Sequence, residues 1–214
     1  MSPSRFDAAV YAHRLRAVAA AAADAGLAGL IITPGYDLRY LIGSRAETFE
    51  RLTALVVPIS GDPTVVLPRL ELASLKESAV VDLGLAVRDW VDGEDPYELV
   101  VAVLGGSPVA TAVTDAMPAL HLLPLTARLG VLPVLATDVL RTLRMIKDPA
   151  EIDALRRAGA AIDRVHARVP EFLVPGRTEA EVAADINEAI VAEGHSAAAF
   201  IIVGSGPHGA DPHH

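Results

Sequence analysis

Between residues 27 and 136 the chain alternates short apolar, β-branched runs with segments of helical texture, and that alternation admits few architectures. Runs at 27–33 (LAGLIIT), 52–58, 65–67, 85–91, 109–113 and 131–136 have the length and residue types of strands. Ahead of them, residues 7–24 read as an Ala-rich helix with Val10, Leu15 and Val18 on one side and Gly26 as its stop. Pro34-Gly35 ends the first strand, and 36–43 reads as a turn or short helix. Ser60-Gly-Asp-Pro63 is a hairpin-like turn into the third strand. A short helix is predicted at 70–78 and another at 118–129. Asp95-Pro96-Tyr97-Glu98 opens a further helix, with Asp as N-cap, Pro in the first turn and Glu three residues after the cap. The pattern predicts an α/β fold, a mixed sheet flanked by helices, over a first domain of residues 1–138.

The texture changes near Asp138. Arg141, Arg144 and Lys147 read as a basic patch on a short helix, and Asp148-Pro149-Ala150-Glu151 repeats the cap arrangement. Behind it Ile152, Leu155, Ala158, Ile162, Val165 and Val169 recur at three- and four-residue steps, the inward stripe of a long amphipathic helix that Pro170 and Pro175-Gly176 close. Thr178-Glu179-Ala180-Glu181 is a capping box for a second helix that turns Val182, Ile186, Ala189 and Ile190 inward and stops at Gly194. Residues 198–203 then read as a buried strand. Two helices and one strand cannot close a sheet domain, because the strand's edges have nothing to pair with. A second domain, residues 139–214, is therefore expected to be incomplete.

Composition removes several classes of function. The net charge of −9 is spread without long acidic blocks, which argues against nucleic acid or an anionic membrane surface as partner. Cysteine is absent, so there are no disulfides and no thiol chemistry, in keeping with a reducing compartment. The first six residues lack a signal peptide's basic-then-apolar order. Apolar stretches are broken by Pro, Gly or charge well before the ~18 residues of a membrane span. A soluble cytoplasmic protein is expected.

The last twenty residues hold the candidate chemistry. Gly204-Ser-Gly206-Pro-His-Gly209 satisfies G-x-G-x-x-G after an apolar run, but a dinucleotide site also needs a following helix and an acidic residue about twenty positions on. His208, Asp211, His213 and His214 have metal-ligand chemistry, yet a metal site made from a chain terminus alone lacks the rigid elements that hold imidazoles in place. No metal or cofactor ligand is assigned within the chain. Of the other histidines, His13, His121 and His166 are read as surface or core-edge residues. His195, at a turn after Gly194, lies closer to the candidate site.

Several stretches together resemble one family. They are Tyr40-Leu-Ile-Gly43 followed by Glu50-Arg51, Pro68-Arg-Leu-Glu71, Arg144-Met-Ile-Lys147-Asp-Pro-Ala-Glu-Ile152, Gly176-Arg-Thr-Glu-Ala-Glu-Val182, and 200–214, FIIVGSGPHGADPHH. In this order and over essentially the whole length, the chain is similar to the creatinase, prolidase and Xaa-Pro aminopeptidase family of M24-type metallopeptidases. Bacterial two-domain Xaa-Pro dipeptidases are the nearest type. The resemblance implies a creatinase-like N-terminal domain followed by the beginning of a pita-bread (α+β) catalytic domain. It also implies hydrolysis of the peptide bond before proline in short proline-containing peptides, by a cytoplasmic homodimer. Two divalent metal ions, manganese or cobalt, are expected in the full-length enzyme, on two aspartates, one histidine and two glutamates downstream of His214 and outside this chain.

One functional position carries over. The first histidine of the family's Pro-His-His element falls on His213, where the resemblance implies hydrogen bonding to the substrate or its tetrahedral intermediate. Asp37, Arg39 and Tyr40 resemble a loop lining the substrate entrance, or form a simple turn. Three functions stay open: an inactive portion of an Xaa-Pro metallopeptidase, a metal-free creatinase-type C–N hydrolase, and a non-catalytic peptide- or partner-binding member.

Overall fold

The computed structural model describes residues 6–47, 50–106 and 110–211. Among them the chain divides into two compact units, one running to Ile146 and the other beginning at Lys147.

In the first unit a six-stranded mixed sheet is built from β1 (Gly29–Ile32), β2 (Ala54–Pro58), β3 (Thr64–Pro68), β4 (Ala86–Trp90), β5 (Ala112–Val113) and β6 (Val134–Leu135), in the order β4-β3-β2-β1-β5-β6. The β1-β2 and β2-β3 pairs are antiparallel, and β3-β4, β1-β5 and β5-β6 are parallel. Five of the strands are shorter than the apolar runs that encode them, while β3 extends the 65–67 run by a residue at each end.

Alternation along the strands sends consecutive residues to opposite faces, and over the inner strands β1, β2, β3 and β5 both faces are buried. Leu30, Ile32, Leu55, Val57, Val65 and Leu67 pack under α1 (Ala8–Asp24), α2 (Tyr36–Ile42) and α5 (Thr137–Met145), through Leu15, Val18, Leu38, Leu41 and Leu140. Ile31, Val56, Val66 and Val113 pack on the other face with Val100 of α3 (Pro96–Val103), Leu125 of α4 (Ala119–Leu129) and Trp90. The Trp90 indole N–H donates to the Leu52 carbonyl at 3.1 Å. Asp95 caps α3 as its sequence predicts, accepting from the amides of Tyr97 and Glu98. The α/β expectation thus resolves into three layers.

Several local expectations change. The segment at 70–78 is a 3-10 helix, Arg69–Glu77. His121 is not at the surface: it is 1% exposed, with Nδ1 3.2 Å from the Tyr97 hydroxyl. Arg144 is no member of a basic patch, since its guanidinium lies 2.5 Å from Asp37 Oδ1. Residues 36–42 are helical, and Tyr40 is structural: its hydroxyl donates to the Leu143 carbonyl and its ring lies under the buried Arg14 guanidinium at 4.1 Å.

The second unit is a helical hairpin of α6 (Pro149–Phe172) and α7 (Glu179–Ala192). Both begin with complete capping boxes, Asp148 with Glu151 and Thr178 with Glu181. Pro170 does not end α6. It lies in the last turn, where only one backbone bond is lost, and continuing to Phe172 seats that ring in the core. The inward stripe holds only in the C-terminal half of α6, at Ala161, Ile162 and Val165, while Ile152 and Leu155 are exposed. The reason is length: 14-residue α7 spans about 21 Å and cannot cover 24-residue α6 at about 36 Å.

The strand expected at 198–203 does not form. Those residues carry no ladder, and Phe200 is 80% exposed; only Val203 packs on the helical pair. A strand is defined by a partner, and none of the described residues supplies one.

Candidate functional site

The approach to the Pro-His-His element is held by one carboxylate. Residues 204–211 fold back as a 3-10 turn, Gly206–Ala210, closed by the Asp211 amide donating to the His208 carbonyl. Gly204 packs closely on this turn: a Cβ there would lie 3.0 Å from the His208 carbonyl oxygen. Glu179, the first residue of α7, reaches this turn. Its Oε1 accepts from the Ser205 amide at 2.6 Å and from the Ser205 hydroxyl at 2.9 Å, and His208 Nδ1 lies 3.1 Å from both carboxylate oxygens.

The Ser205 amide, the His208 imidazole and the Ser205 hydroxyl together favour the ionised carboxylate and bring the Glu179 pKa from 4.5 down to about 2. Glu181 is also lowered, first by the Thr178 amide and then by the Thr178 hydroxyl, which is the capping box at work. Arg177 sits beside this end of α7, donating to Asp185 and to the carbonyls of Phe172 and Glu181 at 3.3 Å, so it ties the end of α6 to the start of α7.

Of the residues singled out in the sequence, the structure brings His208 to Glu179 and leaves the others apart. Candidate catalytic His213, with His214, lies outside the described residues. His195 packs at the end of α7, its amide donating to the Ile190 carbonyl at 3.3 Å and its Nε2 buried without a hydrogen-bond partner among the described residues. His13 and His166 are exposed. The glycines of G-x-G-x-x-G make the turn at 206–210 and face no helix N-terminus of their own. Sequence reasoning passed over Glu179 and Ser205. One signal was available: Thr178-Glu-Ala-Glu181 contains two glutamates, and a capping box employs only Glu181.

A depression in the first unit, lined by Glu98, Val101, Ala102, Gly105, Gly106 and Arg128, has its charges already engaged. Arg128 pairs with Asp95 at 2.5 Å and approaches Glu98 at 3.7 Å.

The two metal ions implied by the resemblance do not fit the described residues. Among them no three His, Cys, Asp or Glu side chains converge as a donor set. Glu179, the acceptor best placed near the element, already receives three protein donors.

Comparison with known proteins gives this geometry its context. Residues 14–146 match the Creatinase/Prolidase N-terminal domain, and 153–214 match Metallopeptidase family M24. The Mycobacterium tuberculosis H37Rv protein named Probable dipeptidase PepE is 80% identical over all 214 residues, which make up 57% of that protein. The crystal structure of dipeptidase PepE from Mycobacterium ulcerans matches with a TM-score of 0.94 at 80% identity, over 99% of this chain and 57% of that one. A recombinant prolidase from Thermococcus sibiricus matches with a TM-score of 0.81 at 29% identity, over 99% of this chain and 57% of that one. The chain thus spans somewhat more than half the length of these relatives. With the three-layered unit inside the first match and the Glu179-held turn inside the second, the chain belongs to the creatinase/prolidase family, its N-terminal domain followed by sequence of the M24 metallopeptidases.

Proposed function

We propose that the chain is the N-terminal portion of a metal-dependent Xaa-Pro dipeptidase and is inactive by itself. In this reading the unit running to Ile146 is a creatinase-like domain and the unit beginning at Lys147 is the beginning of a pita-bread catalytic domain. The observation that carries the reading is the turn at 204–211, held on α7 within the M24-matching stretch and leading directly to Pro212-His213-His214. The names of the relatives, dipeptidase and prolidase, support it.

A peptide bond before proline is a tertiary amide without an N–H, and its ring clashes in ordinary protease clefts. The working role is for His213 to donate a hydrogen bond to the oxygen that becomes negative as that bond is attacked. Because the described side chains do not converge as a metal site, no hydrolytic step is assigned to them. The metal ligands belong, in this proposal, to further sequence of a longer protein. The same reading takes short proline-containing peptides as substrates and a cytoplasmic homodimer as the working form, with manganese as the metal, since carboxylate-rich sites suit hard ions.

The test compares this chain with the product of its native gene. A longer product that cleaves an Xaa-Pro dipeptide with added manganese is expected, and His213→Ala in it lowers kcat about 10²–10³-fold, as loss of an oxyanion donor does. The 214-residue chain is expected to turn over nothing, and added manganese to leave its melting temperature unchanged, because binding to the folded state would raise it. A manganese-dependent rise, or dipeptide cleavage by the short chain, overturns the inactive-portion reading.

A further inference from the structure

The long helix α6 has three sides, and one of them has no task yet. At about 3.6 residues per turn, Ala161, Val165 and Phe172 share the side that packs on Val182 and Ala189 of α7. Asp153, Arg156, Arg157, Asp163 and Arg164 make a solvated second side, with ion pairs from Arg156 to Asp153 and from Arg164 to Glu193. Ile152, Leu155, Gly159, Ile162, His166 and Val169 fall on the third, roughly 110° round from the α7 side, in the alternating three- and four-residue steps of a packed helical seam. None of the six is Asp, Glu, Lys or Arg. Among the described residues this side has little cover. Ile152 is 38% and Leu155 58% exposed, a methyl group on Gly159 would meet nothing within 4 Å, and Ile162 and Val169 are only half-buried. A helix face meant for water carries charge, as the second side does.

We infer that the third side of α6 is a docking face for M24 sequence outside these 214 residues, on the same longer polypeptide. This rests on the longer protein proposed above and not on its activity. Two observations choose that occupant. The M24 match begins at residue 153, so all of the face except Ile152 lies inside it. The 214 residues make up 57% of the Mycobacterium tuberculosis relative, and the rest of such a protein is long enough to supply the cover. A second copy fits less well. A parallel pair would stack Gly159 on Gly159, an empty layer, and His166 on His166, a polar one, in the middle of the seam. The occupant presents an apolar surface to Ile152 and Leu155 and approaches the backbone at Gly159, where no side chain stands in its way.

The chain contains no cysteine, so an introduced thiol reports its own surroundings, read by peptide mass after a pulse of maleimide. Leu155→Cys probes the docking face and Arg157→Cys the solvated side. In the 214-residue chain the two thiols should react within about threefold of each other. In the longer protein the thiol of Leu155→Cys should react at least about tenfold more slowly than that of Arg157→Cys, because access then waits on local opening. Leu155→Glu keeps helix propensity, and should move the melting temperature of the 214-residue chain by less than about 2 °C while lowering that of the longer protein by about 5 °C or more. Where Leu155→Glu leaves the longer protein unfolded, Leu155→Ala gives the same comparison with a smaller shift. Equal labelling of the two thiols in the longer protein shows an uncovered face. Protection already present in the 214-residue chain shows a face covered without that sequence, by a second copy if dilution removes it. A native gene product of 22.4 kDa shows that no such sequence exists. Each of these three results overturns the inference. A longer protein that protects the thiol but cleaves no Xaa-Pro dipeptide upholds the inference and sinks the proposed function instead.

Discussion

Two glycines make opposite predictions for the same substitution. Gly29 lies in β1 opposite Pro58, and a methyl group there would come within 2.6 Å of the Val57 carbonyl oxygen, 2.9 Å of Pro58 Cα and 2.8 Å of Leu104 Cδ2. Non-bonded contacts are comfortable at about 3.5 Å, so the methyl overlaps by roughly 1 Å. Leu104 can rotate away. Val57 and Pro58 present backbone, and they can retreat only if β2 moves from β1. Overpacking of this kind costs about 1–3 kcal/mol, and backbone on two sides puts Gly29→Ala at the upper end. Lower entropy of the unfolded chain returns about 0.4–1 kcal/mol. The net expectation is a loss of about 2 kcal/mol.

Gly159 lies inside α6, and a methyl group added there would meet nothing within 4 Å, so Gly159→Ala should stabilise by about 0.5–1 kcal/mol. Urea unfolding separates the two. Trp90, the single tryptophan, packs in the same cluster as Leu104 and reports the first unit by fluorescence, while helical circular dichroism sums the helices of both units, α6 among them. An unchanged or raised midpoint for Gly29→Ala, or a lowered one for Gly159→Ala, would refute the contact argument.

Glu179 provides a pH test. Its pKa is lowered from 4.5 to about 2, so its contribution is present above the unfolded value and is lost as pH falls through about 2. Carboxyl carbon NMR should show a Glu179 midpoint near 2 that rises in Ser205→Ala; a wild-type midpoint near 4.5 contradicts the hydrogen bonds from Ser205 and His208. Arg14 is 3% exposed, with its guanidinium 4.1 Å from the Tyr40 ring centre, 4.8 Å from Phe6 and 5.6 Å from Tyr11, and Nη1 donating to the Tyr40 carbonyl at 2.8 Å. Arg14→Lys keeps the charge and loses the planar stacking, for an expected cost of about 1–2 kcal/mol in the Trp90 urea midpoint; an unchanged midpoint would show the aromatic cage to be idle. Finally, the intact mass of the native gene product should exceed the 22.4 kDa of this chain by more than half, and a product of 22.4 kDa would favour the non-catalytic binding reading.

What the sequence determined by itself was everything that depends on neighbours along the chain. The α/β alternation, the Asp95, Asp148 and Thr178 caps, the turn before β3 and the M24-type tail all rest on interactions spanning a few residues, and each is legible as a local pattern. What only the tertiary structure decided depends on partners far away in sequence. The apolar run at 198–203 has the composition of a strand and no ladder, because pairing is a property of two segments. His121 is buried because Tyr97 meets it from another helix, and Arg144 is spent on Asp37 across 107 residues. In the candidate site the tail could be read from the chain, whereas the Glu179 contacts could not. A carboxylate in a first helical turn looks like solvated capping charge until the fold brings Ser205 and His208 to it, and that encounter lowers its pKa.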